Sequence, residues 1–157
     1  MIGVYAGSFC PITVGHVDAI ERASKTVDKL YVVVGVNVDK KYALTNEQRL
    51  ELTKKALEHL PKVEVCLHEG MMTDFCKSVN ADVMIKSIRN VADLQQALDI
   101  AGVNRLYWHG ETTFIVGDAK YQHVSSSLVR ELVGLGQDVS ALVPQGLCEE
   151  ITKLLLK

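Results

Sequence analysis

The chain has 157 residues, 48% hydrophobic and 23% charged, with a formal net charge of −2. That length suits one nucleus of packed structure, a single domain over residues 1–157, and the composition is that of an ordinary globular protein. The charge balance offers nothing to a nucleic acid, no apolar run reaches a membrane span, and no basic-then-apolar leader opens the chain, so a cytoplasmic protein is expected.

Met1–Ala6 is an apolar run that reads as a buried first strand. The loop Gly7-Ser8-Phe9-Cys10-Pro11-Ile12-Thr13-Val14-Gly15-His16 follows, and Val17–Thr26 has helical apolar spacing. A strand, a glycine-bounded loop and a helix start together favour an anion, because free backbone N–H groups and the positive helix end converge there. Ser8 at one end and His16 at the other add a hydroxyl and an imidazole, which suggests chemistry on a phosphate.

Lys29–Val36 is β-branched and apolar, the mark of a strand covered on both faces. A polar loop, Asn37–Ala43, carries Asp39, Lys40 and Lys41. Thr45 and Gln48 form a capping box for a helix running to about His59, which Pro61 ends. Val63–Glu69 is a third strand, Met71–Val79 a short amphipathic helix and Asp82–Ile88 a fourth strand, closing on Lys86 and Arg89. Val91–Leu106 is a longer helix, Thr112–Val116 a fifth strand and Gly117–Val124 a loop. Ser125-Ser126-Ser127 opens the helix Leu128–Leu135, and a last amphipathic helix covers about Gln145–Leu156.

This alternation predicts an α/β fold: a Rossmann-like doubly wound sheet of about five parallel strands with helices on both faces. Ligands of such sheets bind beyond the carboxyl ends of the strands, where strand order reverses. Ser8 and His16 follow the first strand, Lys40 the second, Lys86 and Arg89 the fourth, and the serine triplet the fifth, so one crevice can collect them all. A cation at the end of a run like Val83-Met84-Ile85 is expected to face an anion, and the planar fork of Arg89 suits a phosphate. The triplet is either a helix cap with redundant neighbours or a second anion site, with Arg130 one turn along.

Cys10, Cys66, Cys76 and Cys148 show neither a CxxC pair nor zinc-finger spacing. Cys66 and Cys76 are expected to be buried thiols. Cys10 could gain thiolate character beside a helix N-terminus, but with no base or resolving partner in view packing is the favoured role. The remaining histidines are singletons, and no side chains are assigned to a metal. Neither GxxxxGK[ST] nor GxGxxG occurs, which argues against P-loop and dinucleotide-binding proteins.

The loop GSFCPITVGH resembles the [ST]-x-x-P-x-T-x-G-H signature of the nucleotidyltransferase superfamily, and SSSLVRE resembles its ISSSxVR/K signature. KSIRNVADLQQALDIAGVNR is similar to the segment RGLRxxxDFxxExxxAxxNR of bacterial phosphopantetheine adenylyltransferases, and the likeness runs along nearly the whole chain. The resemblance implies transfer of AMP from ATP to 4′-phosphopantetheine, giving dephospho-coenzyme A and pyrophosphate by direct in-line attack. It implies catalytic roles for His16, Lys40 and Ser8. ATP would meet Ser8, Phe9, His16, Ser87, Ile88, Arg89, Ala97, Tyr121, Gln122, His123, Val124, Ser125, Ser126 and Ser127. Phosphopantetheine would meet Ser8, Lys40, Met72 and Lys86. Mg²⁺ would ride on the ATP phosphates, and the resemblance also implies a homohexamer and feedback binding of coenzyme A.

Three positions depart from the family pattern. Cys10 stands for Asp, Lys86-Ser87 for Arg-Gly, and Ala97 for an ATP-contacting Glu. Lys86 keeps the charge without the bidentate fork, so weaker acceptor-phosphate binding is expected. Two other readings stay open: a sister adenylyltransferase with another phosphate acceptor, such as nicotinate mononucleotide, and a non-catalytic nucleotide-binding module. A redox role for Cys10 is a third and remote one. Cytidylyltransferases of the superfamily usually carry an RTxGIST-like second motif, and SSSLVR points to ATP instead.

Overall fold

The computed structural model describes residues 1–157. Five strands, β1 (Ile2–Gly7), β2 (Lys29–Val36), β3 (Val63–Glu69), β4 (Val83–Ile88) and β5 (Glu111–Val116), form one sheet in the order β3-β2-β1-β4-β5. Every pairing is parallel. The helices are α1 (Val14–Ser24), α2 (Asn46–Leu57), α3 (Met72–Ser78), α4 (Val91–Asn104), α5 (Ser126–Gly134) and α6 (Cys148–Leu155). A 3₁₀ turn, Ala119–Tyr121, lies between β5 and α5.

Side chains of a strand alternate between faces, and here the two faces carry unequal cores. Tyr5, Leu30, Val32, Val34, Val83 and Ile85 meet α1, α2, α5 and α6 in a cluster of 23 buried residues. The opposite face holds only Val4, Val33, Cys76, Ala81, Met84 and Trp108, covered mainly by α3. Fully buried side chains such as Ile20, Leu52 and Ile151 each contribute about 1.5–3 kcal/mol, so the larger cluster carries most of the stability. Few α4 residues are buried, namely Ala97 and Asn104.

The strand order reverses between β1 and β4, because the chain winds outward to β3 and then returns to the other side of β1. The ladder joining β1 to β4 holds only Gly3 with Val83 and Val4 with Met84. By contrast β1 pairs with β2 along its whole length, to Gly7 with Val34. The carboxyl halves of β1 and β4 are therefore not laddered together, and the crevice lies there.

The elements match the expected alternation, with shifted ends. The first helix starts at Val14, not Val17, because Thr13 is its N-cap and His16 its third residue. Ser125 is likewise a cap, and α5 starts at Ser126. The last helix starts at Cys148, three residues later than expected, because the stretch after Pro144 is a turn in which the Leu147 N–H donates to the Pro144 carbonyl. Cys76 is buried, but Cys66 is only half-buried, since β3 is an edge strand.

Candidate active site

A cleft of about 610 Å³ opens at the carboxyl ends of β1 and β4. Its walls include Ser8, His16, Lys40, Lys86, Ser87, Arg89, Ala97, Tyr121, Val124, Ser125, Ser126 and Ser127 from the sequence-based set. Five of the named residues do not line it. Phe9 is buried beneath the loop, Ile88 is half-buried at the end of β4, and Gln122 and His123 are exposed. Met72 opens α3 and packs on the smaller core.

The first loop is held from several sides. Phe9 has φ 47°, a left-handed backbone that is uncommon outside glycine. Its ring lies over Gly7, where an added Cβ would come within 2.9 Å of it, so glycine is required there. The same ring meets His16 edge-on at 5.1 Å between centroids. Arg130 Nη1 donates to the Cys10 carbonyl (2.6 Å) and Ser126 Oγ to the Pro11 carbonyl (2.7 Å), which ties α5 to this loop. Cys10 is buried in the larger core, with its backbone carrying one of those ties.

His16 caps α1 and lines the cleft at once. Its N–H donates to Thr13 Oγ1 (3.3 Å), while its Nδ1 accepts from the Thr13 N–H (3.0 Å). A ring nitrogen that accepts from an amide holds no proton, so the neutral ring carries its proton on Nε2. Burial first, and the nearby Arg89 charge second, lower the His16 pKa from 6.5 to about 4. The imidazole is thus a neutral N–H donor, suited to a phosphate oxygen and unsuited to act as a cation.

Lys86 extends from the half-buried end of β4, and burial alone lowers its pKa. Arg89 donates from Nη1 to the Val124 carbonyl (2.8 Å) and from Nε to Asp93 (3.3 Å), which sets the plane of its fork. Tyr5 also faces the cleft; burial pushes its phenol to about 12, with Ser87 pulling the other way. Of the serine triplet, Ser125 caps α5 by accepting from the Leu128 N–H (3.1 Å), and Ser126 is spent on Pro11. The cap and anion-site readings are therefore compatible: side chains brace the turn, while N–H groups of the first turn stay unpaired within the helix.

Charge is concentrated here. Lys40, Lys41, Lys86, Arg89 and Arg130 face the cleft against the carboxylates of Asp93 and Asp118. Asp93 is engaged by Arg89, and Asp118 accepts from the Lys120 N–H. Five cations against two carboxylates, in a chain of net charge −2, make a receptor for a polyanion. No group of three or more His, Cys, Asp or Glu side chains forms a metal cage. A divalent ion here would take its ligands largely from phosphates and water, the usual habit of Mg²⁺.

Tyr5 and Thr13 also line the cleft and are not among the site residues expected from sequence. Nor is Arg49, which lies outside the cleft lining; its signal is a charge on the core-facing side of α2, in line with Leu52, Thr53, Ala56 and Leu57. Arg130, expected beside the serine triplet, lines the cleft.

The cytidylyltransferase-like family model matches residues 4–132. The phosphopantetheine adenylyltransferase of Finegoldia magna is 41% identical over 149 residues, covering 94% of this chain and 92% of that protein. Enzymes of the same name from Levilactobacillus brevis (42% identical, covering 91% and 89%) and Rubrobacter xylanophilus (40%, covering 98% and 94%) are similarly related. Among solved structures, Plasmodium falciparum nicotinic acid mononucleotide adenylyltransferase complexed with NaAD superposes with a TM-score of 0.67, over 99% of this chain and 94% of that one. At 13% identity that likeness is one of fold alone.

Proposed function

The chain belongs to the cytidylyltransferase-like family and, within it, to the phosphopantetheine adenylyltransferases, and from that premise we propose that it transfers AMP from ATP to 4′-phosphopantetheine. The observation that carries this reading is the set of five cations facing one cleft beside the neutral His16, at the switch point of the sheet. An acceptor phosphate oxygen attacks the α-phosphorus of ATP, the bond from the α-phosphorus to the bridging oxygen breaks, and pyrophosphate leaves with the electron pair. No group on the protein need become covalently attached. Catalysis lies in placing two anions together and in meeting the charge that develops.

Roles follow from position. The His16 Nε2–H donates to an ATP phosphate oxygen that gains charge in the transition state. Ser8, Lys40 and Lys86 take the acceptor phosphate, with Lys86 as a point charge where a fork would be bidentate. Arg89, Tyr121 and the N–H groups at Ser125–Ser127 hold the nucleotide. Met72, at the start of α3, is assigned to the pantetheine arm beyond the cleft. Mg²⁺ bound to the triphosphate would neutralise the leaving pyrophosphate. Residues 1–157 act as one domain in the cytoplasm, and feedback binding of coenzyme A belongs to the same reading. So does a homohexamer, which the exposed apolar side chains Val91, Leu94 and Leu98 of α4 support.

Pyrophosphate release from ATP in the presence of 4′-phosphopantetheine tests the proposal, with nicotinate mononucleotide as a competing acceptor. Release should depend on phosphopantetheine and fall about 100-fold or more in His16→Ala, as when one transition-state donor is removed elsewhere. Near-intact activity in that variant, or preference for the other acceptor, would overturn the assignment. ATP binding without any release would favour a nucleotide-binding module.

A further inference from the structure

Arg49 occupies the core-facing side of α2 and is 0% exposed. Its partners are all neutral. Nη1 donates to the carbonyls of Ser8 (2.8 Å) and Gly35 (2.9 Å), and Nη2 to Asn46 Oδ1 (2.7 Å). The guanidinium lies on the Tyr42 ring, 3.8 Å from its centroid, and Nε has no hydrogen-bond partner. A buried cation without a counter-ion is costly to desolvate, so its retention calls for a compensating role.

The two carbonyls belong to the roots of two loops. The last β1–β2 pair in register is Gly7 with Val34, so Ser8 and Gly35 would form the next pair. Arg49 joins them where the ladder ends. From there one strand continues into the loop of Ser8 and the other into the loop of Lys40. The second loop folds back onto the same platform: Tyr42 Oη accepts from the Asn37 N–H (3.1 Å), and Lys40 Nζ lies 5.6 Å from the Tyr42 ring centroid. One guanidinium therefore sets the spacing of the two arms that carry Ser8 and Lys40.

We propose that Arg49 is a positioning residue for the acceptor phosphate, holding Ser8 and Lys40 at the separation that phosphate requires. This rests on the transfer reading given above. Arg89 is fixed elsewhere, by the Val124 carbonyl, and Arg130 and Ser126 hold the far part of the first loop at Cys10 and Pro11. Damage at Arg49 therefore falls mainly on the acceptor side.

The test is Arg49→Lys, which keeps the charge and loses the fork that spans both carbonyls and Asn46. By calorimetry, the Kd for 4′-phosphopantetheine should rise about 10-fold while that for ATP stays within about 3-fold, since mainly acceptor contacts are disturbed. The kcat should fall about 100-fold, as expected for a displaced reacting group. A residue that merely stabilised the fold would lower Tm and leave both the acceptor Kd and kcat of folded molecules unchanged, and that result overturns the proposal. If Arg49→Lys does not fold, Asn46→Ala releases one anchor of the fork and should raise the acceptor Kd about 3-fold with ATP unaffected; no change there overturns it equally. A wild type that neither binds nor turns over phosphopantetheine would sink the transfer reading and this inference together. An active wild type with an unaffected Arg49→Lys sinks the inference alone.

Discussion

His16 shows how one side chain can cap a helix and face the cleft at once. The amide of Thr13 occupies Nδ1, and that bond places the proton on the nitrogen left over for a ligand. The expected outcome in a long-range ¹H–¹⁵N correlation spectrum is an Nε2–H tautomer that stays neutral down to about pH 4. A midpoint near 6.5, or protonated Nδ1 at neutral pH, would contradict the geometry. The sign for stability follows from the same displacement. The unfolded chain takes up this proton near pH 6.5 and the folded chain only near 4, so His16 costs stability as pH falls through that window.

At the scale of one element, α1 joins a local helix cap to a wall of the cleft. Its capping box uses Thr13 and His16, just as that of α2 uses Thr45 and Gln48. The difference is burial: Thr13 is 2% exposed and Thr45 lies at the surface. Thr13→Ala should cost about 1 kcal/mol and lower Tm by about 2–4 °C. It should also reduce kcat, because the bond that starts the helix fixes the backbone from which His16 projects. Thr13→Ser retains the acceptor oxygen, and its kcat and Tm should stay near the wild-type values. Equal kcat in the Ala and Ser variants would separate the cap from the chemistry.

Across the whole molecule, the sheet sorts charge. A chain with net charge −2 gathers five cations at the carboxyl ends of its strands, and this field attracts substrates before any contact is made. Raising ionic strength from about 0.1 M to about 1 M shortens the screening length from about 10 Å to about 3 Å. The KM for ATP should then rise several-fold, with a smaller change in kcat. A KM insensitive to salt would mean that short-range contacts, and not the collected field, govern binding.

Much of this protein was legible in its sequence. The alternation of β-branched runs with capped amphipathic segments determined a parallel sheet, because each pattern suits only one backbone period and parallel strands need helical crossovers. The motifs around Ser8, His16 and Ser125 identified the family, and the fold brought them to one cleft as the alternation required. The free nitrogen of His16 follows from a local bond to the Thr13 amide, but tertiary structure decided the burial that keeps the ring neutral. It also decided that Ser126 and Arg130 brace the first loop from more than a hundred residues away, and that Arg49 is a buried bridge and not a surface charge. A side chain's type is written in the sequence; its partners are set by the packing of distant segments. The loop after β1 could therefore be found in the sequence, whereas the residue that bridges its root to that of the loop after β2 became evident only in the folded chain.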